Sequence, residues 1–238
     1  MNWTEKMNRQ HILIAGLLIT IGVLGRILLH DVFAGIPNPW STTGFPVPLD
    51  VFFIIATLSL YAGVILGKFY TFVVPLCVIV LTDVFYGIVD PNSAALWMSW
   101  LFLFTWSGYA VIAVLGFMLK RKRLRTISYV PMLAGAGALG VLFYDIWTNF
   151  GFWLMYSKLG FYPQTIQGLA TVYIGGLPTM VWHLLSTSLA IVSVGLPLLY
   201  LTKQKIVQKT IEVKPRELYL LLGATGILLL VSVFSAVV

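Results

Sequence analysis

A small set of polar and aromatic side chains lies in or beside long apolar runs and could bind a solute: Arg26, Trp40, Asp83, Asp145, Trp147, Asn149 and His183. A charged group near the centre of a bilayer costs about 2.5–3.5 kcal/mol, so each one requires a partner or a ligand. Asp145 and Asn149 are four residues apart and share one helix stripe, as Asp83 and Tyr86 do at a spacing of three. In a binding site, Asp83, Asp145 and Asn149 would supply polar contacts and Arg26 a countercharge. Trp147 and Trp40 would supply flat surfaces. In a purely structural role, Arg26 would instead pair with Asp50, Asp83 or Asp145. Trp106, Tyr109, Tyr144, Trp153 and Tyr173 crowd the same depth, where an interfacial aromatic belt is an equally good explanation. His183 on its own fits a hydrogen-bonded structural histidine as well as a ligand contact.

Other chemistries lack their residues. No second His or Cys stands at metal-ligand spacing from His183, so no metal site is expected. Cys77, the single cysteine, reads as a small core residue. The sequence contains no Gly-rich phosphate loop, no HExxH and no Ser-His-Asp set at a credible depth. The expectation is a non-enzymatic chain without a cofactor. The net charge of +7 is spread over connections rather than gathered on a basic face interleaved with aromatics, so no nucleic-acid partner is expected.

The elements that must hold these residues are membrane helices. Of 238 residues, 59% are hydrophobic and 10% charged, whereas a soluble domain carries about a quarter charged. Apolar runs at Gln10–Leu29, Asp50–Leu66, Phe69–Val89, Ala95–Leu119, Tyr129–Met155, Leu177–Leu201 and Leu218–Val238 reach or approach the roughly 20 residues a crossing needs. Runs this continuous are helices rather than barrel strands. The expected fold is an all-α integral membrane protein of about seven transmembrane helices, forming one transmembrane domain. All Lys and Arg residues except Arg26 and Lys158 then fall on one side when crossings alternate. By the positive-inside rule the protein is expected in the cell membrane, N-terminus cytoplasmic and C-terminus outside. Arg26, Asp50, Asp83, Asp145, Asn149 and His183 all come toward the external face. Above them lies the Pro-rich connection His30–Leu49, expected to fold back as a lid. A second irregular stretch, Tyr156–Pro178, is expected to carry a short interfacial helix at Thr165–Tyr173, stopped by Gly175, Gly176 and Pro178.

Several local patterns carry a resemblance. They are Gly63 and Gly67, then Pro75, then Thr82-Asp83-Val84-Phe85-Tyr86-Gly87. Further on come Thr148-Asn149-Phe150-Gly151-Phe152-Trp153, Tyr162-Pro163-Gln164-Thr165, Gly168-Leu169, Tyr173 and Leu177-Pro178. The pattern, spanning Arg26 to Leu201, resembles an uncharacterised family of putative membrane transport proteins. That family is similar to the substrate-binding S-components of energy-coupling-factor (ECF) vitamin transporters. The resemblance implies a six-helix bundle over residues 10–201, followed by a basic connection and an extra helix over 202–238. It implies uptake of a vitamin-like or other small organic nutrient beneath a mobile first outer loop, with ECF-type coupling and ATPase subunits as partners beside the lipid bilayer. Helix 1 lacks the Ala-x-x-x-Ala element of many S-components. The competing expectation is a non-transporting structural or assembly subunit of a larger membrane complex, with helices 5 and 7 buried against partner chains and no cavity under the outer loop.

Overall fold

The computed structural model describes residues 3–39, 49–67, 69–89, 100–120, 129–203 and 215–237. Its regular elements are α1 (Trp3–Ala34), α2 (Phe52–Tyr61) running directly into a π-helical turn (Ala62–Leu66), α3 (Tyr70–Val89), α4 (Leu101–Leu119), α5 (Tyr129–Lys158), α6 (Ile166–Lys203) and α7 (Pro215–Val237). No strand occurs among the described residues. Six of these helices, all but α2, are long and apolar enough to cross a membrane, as expected of a multi-pass helical bundle.

The remaining helix, Phe52–Leu66, is the shortest and the most enclosed. At about 1.5 Å per residue it spans roughly 22 Å, less than the roughly 30 Å hydrocarbon layer. Most of its residues are buried, including Ile55, Ala56, Leu60, Tyr61 and Leu66. A helix apolar on every face belongs inside a bundle, and α4, α6, α3 and α1 all pack on it. Two glycines allow the closest approach. A Cβ on Gly63 would lie 2.2 Å from the Ala113 carbonyl oxygen, and one on Gly116 would lie 2.1 Å from that of Leu60. The π-helical turn ends at Gly67, whose φ of 67° is left-handed, and Lys120 Nζ donates to the Leu66 and Ile65 carbonyls at 2.6 and 3.3 Å.

Around this centre, α5 packs most extensively on α6 and α4, α1 lies along α3, and α7 lies along α4. α1 is mostly exposed, with Leu13, Leu17, Leu24 and Leu28 facing outward, as a lipid-facing helix must.

One expectation is overturned. Gly175, Gly176 and Pro178 do not stop a short interfacial helix; α6 runs unbroken from Ile166 through all three to Lys203. Apolar surroundings make leaving a helix expensive, because freed backbone groups find no water, so Pro is tolerated within membrane helices. Gly176 serves close packing: a Cβ there would lie 2.6 Å from Asn149 Oδ1. The Pro178 carbonyl accepts from Asn38 Nδ2 at 3.1 Å.

Candidate functional site

The polar residues gather at one end of the bundle, where α1 and α3 finish and α2 and α4 begin. They form two groups separated by an aromatic wall.

The first group spans α1 and α3. Arg26 Nη1 donates to Thr82 Oγ1 at 2.6 Å and to Asp83 Oδ1 at 3.3 Å. Thr82 precedes Asp83 directly and donates its own hydroxyl proton to the Val78 carbonyl, which leaves its lone pairs for arginine. Tyr86, one turn beyond Asp83, donates to the Arg26 carbonyl at 3.3 Å. The stripe Asp83–Tyr86 therefore grips Arg26 at side chain and backbone together. Arg26 and Asp83 line a cavity of about 60 Å³ with Leu101, Phe102, Thr105, Trp106 and Tyr109 of α4 and Ile79 of α3. Arginine held by a carboxylate and a hydroxyl presents both donors and acceptors to that space.

The second group centres on α6. His183 Nδ1 lies 2.7 Å from Asp145 Oδ1 and Nε2 lies 2.9 Å from Asp50 Oδ2. Ionised carboxylates only accept, so a ring with N–H on both nitrogens satisfies both contacts. His183 and Asp145 are buried, whereas the Asp50 side chain is about half exposed at 49%. Asp50 precedes α2 and its Oδ1 accepts from the Phe52 N–H, while its carbonyl accepts from Trp182 Nε1. Burial pushes the Asp50 carboxyl up, but the facing imidazole and the Phe52 N–H pull it down and prevail, leaving it below its ordinary value. Asn149 Nδ2 donates to the Asp145 carbonyl at 2.7 Å, so this pair four residues apart is locked within α5. Asp145 Oδ2 is buried without a hydrogen-bond partner.

Phe52, Tyr109 and Tyr144 form the wall. Phe52 stacks on His183 with ring centres 4.0 Å apart and lies 5.4 Å from Tyr109 and 4.5 Å from Tyr144. Tyr109 turns toward Tyr144 at 4.8 Å and also lines the Arg26–Asp83 cavity. One group borders a cavity lined by Tyr109, and the other is stacked on Phe52, which contacts both Tyr109 and His183.

The family comparison matches residues 5–208. The chain belongs to a family of unknown function (DUF6580). The matched span takes in α1 to α6 and leaves α7 outside. No curated protein and no solved structure matches the chain.

Among the residues named from sequence, Arg26 and Asp83 come together, and Asp145, Asn149 and His183 come together, within this family's matched region. Trp147 joins neither group: its Nε1 donates to Ser107 Oγ at 2.7 Å, in a seam where Ser232 of α7 also donates to Ser107. Trp40 lies outside the described residues. Among the described residues no cluster of three or more His, Cys, Asp or Glu side chains could hold a metal ion. Sequence reading missed Thr82, Thr105 and Phe52 as contributors and did not place Asp50 against His183. Thr82 could have been found as the hydroxyl adjoining a buried carboxylate; nothing local marks Phe52.

Proposed function

We propose that this protein is the substrate-binding component of a membrane transport system, taking up a small organic, vitamin-like nutrient from the extracytoplasmic side. The observation that carries this reading is the open space beside the Arg26–Asp83 pair. A charge pair that only tied α1 to α3 would be packed over, whereas this one borders a cavity with a hydroxyl (Thr105), an indole and a phenol in its lining. Arg26 and Asp83 contact the ligand; Tyr109 forms its back wall. Asp145, Asn149 and His183 hold α5 and α6 in register beside it, and Trp40, in the connection between α1 and α2, is proposed as a further ligand contact.

The connection between α1 and α2 leaves and re-enters the bundle at this end. Its two ends are clipped together where the Leu49 N–H donates to the Ile36 carbonyl at 3.0 Å, and Asn38 ties it to α6 through Pro178. The extracytoplasmic orientation is supported by the positive-inside rule applied to the basic residues at the opposite helix ends, Arg9, Lys120, Lys203 and Arg216. An assembly subunit would have no use for a cavity at a charge pair, and the space there favours the ligand reading over that alternative.

Native mass spectrometry of the protein purified from its own membranes is expected to show a retained small molecule, lost in Arg26→Ala and Asp83→Asn. Parent and variants carrying the same adducts would remove these residues from the site. For orientation, Leu159→Cys on a Cys77→Ala background should react with a membrane-impermeant maleimide on intact cells. Protection until lysis would invert the topology.

A further inference from the structure

The Asp50–His183–Asp145 cluster has two hydrogen bonds to fill and a single imidazole to fill them. Nδ1 lies 2.7 Å from Asp145 Oδ1 and Nε2 lies 2.9 Å from Asp50 Oδ2. A neutral imidazole has one N–H and ionised carboxylates have none, so the second bond requires an added proton. The elements packed around the ring do not remove that requirement. Arg26 of α1 acts on Asp50 electrostatically but is bonded to Asp83 of α3, and that pair is neutral. α4 and α5 bring the phenols Tyr109 and Tyr144 beside Phe52 and the ring, and these carry no positive charge.

One oxygen shows where the added proton rests. Asp145 Oδ2 is buried with no hydrogen-bond partner, whereas Asp50 Oδ1 accepts from the Phe52 N–H. An unbonded buried acceptor costs more on a charged group than on a neutral one. The strain is least when Asp145 is the neutral acid, with its proton on Oδ1 facing Nδ1 and Oδ2 as a plain carbonyl oxygen. The Asp145 side chain is 4% exposed, which shuts out a metal ion or an organic cation. A proton needs no cavity, because it travels along hydrogen bonds. Here they run unbroken from Asp50, whose side chain is about half exposed, through both nitrogens of His183 to Asp145. Within membrane helices, Asp and His joined in this way are the material of proton relays.

We propose that this cluster is a proton-binding site, with Asp50 as its entrance, His183 as its relay and Asp145 as its buried carrier. The empty site has both carboxylates ionised and the neutral ring donating from Nδ1 to Asp145. A proton from water joins Asp50, whose O–H then faces Nε2. The Asp50 proton passes to Nε2 as the Nδ1 proton passes to Asp145, through an imidazolium flanked by two carboxylates. The cluster gains one proton and one positive charge, and no other bond changes. Without that proton the Nε2 lone pair would face the Asp50 carboxylate and the two would part. Proton occupancy therefore decides whether the start of α2 is fastened to α6. This goes beyond the uptake reading and does not depend on it.

Infrared difference spectroscopy of the intact protein in a carbonyl-free detergent tests it, with bath pH stepped across the range in which the protein stays folded. The expected result is the C=O band of one buried protonated carboxyl, lost as the bath turns alkaline. Asp145→Asn should lack the band and Asp83→Asn should keep it. Should Asp145→Asn not fold, carboxyl-13C aspartate in the parent must shift the band and Asp83→Asn must spare it. Asp50→Asn, at the exposed end, should keep the band but slow its shift on transfer to D2O, which a merely structural Asp50 would leave unchanged. A parent without a pH-dependent buried carboxyl band would overturn the proposal, as would a band that survives in Asp145→Asn or is lost in Asp83→Asn. Exchange as fast in Asp50→Asn as in the parent would overturn the relay. None of these outcomes alters what native mass spectrometry finds at Arg26 and Asp83, so the two readings fail separately.

Discussion

The Arg26–Asp83 pair and the Asp50–His183–Asp145 cluster lie at the same end of the bundle, connected through Tyr109 and Phe52, and their surroundings differ. The pair is partly exposed, at 14% and 28%, and borders a cavity. The histidine and Asp145 are each below 7% exposed at the side chain, with Phe52 stacked over the ring. Both groups tie helices together, the pair joining α1 to α3 and the cluster joining the start of α2, α5 and α6. The pair borders open space, as binding requires; the cluster uses both imidazole nitrogens internally, as a fastening requires, although Asp145 Oδ2 is left without a partner. A charged residue in an apolar helix is therefore not a site by virtue of its charge. What distinguishes the two is unfilled volume next to it.

If that contrast is right, His183→Ala should do the most damage. It leaves Asp145 buried without its partner, and losing one member of a buried charged set costs about 3–5 kcal/mol. Thermal unfolding in detergent should show a large drop in melting temperature; a parent-like melt would show the cluster to be dispensable.

The next largest effect is expected in acid. The Asp50 carboxyl is held below its ordinary value, so its contribution to stability is complete above the unfolded-state value and is lost as pH falls through the lowered one. Melting temperature should hold steady from neutrality down to about pH 4 and fall below that. Asp50→Asn should lower the plateau and flatten the acid limb. An unaltered acid limb would mean that Asp50 does not couple to His183.

The smallest effect on stability is expected from Asp83→Asn. A partly exposed pair is worth about 0–1 kcal/mol, so the variant should melt within a few degrees of the parent while losing ligand. A collapse as large as that of His183→Ala would make the two groups alike and end the distinction drawn here.

Much of the architecture is legible in the chain. The run Phe69–Val89 anticipates α3 to within one residue, and Tyr129–Met155 captures all but the last turn of α5. Length and continuous apolarity suffice, because backbone groups in lipid must bond within their own segment. Local pairs are legible too: Asp83 with Tyr86 and Asp145 with Asn149 share helix stripes, and each pair is found acting together. α6 departs from the expectation at Gly175, Gly176 and Pro178, residues that break helices in water; here Gly176 lies against Asn149 and the Pro178 carbonyl accepts from Asn38.

Pattern alone settles that the chain forms long apolar helices and that its polar side chains collect toward one end, since both follow from the cost of placing backbone and charge in hydrocarbon. Which charge meets which is decided by the fold. His183 and Asp50 are 133 positions apart, and Arg26 and Asp83 are 57 apart. Such partnerships depend on how the helices rotate and tilt against one another. That rotation is set by contacts such as Gly63 and Gly116 at the α2–α4 crossing, where a single Cβ would force the backbones apart.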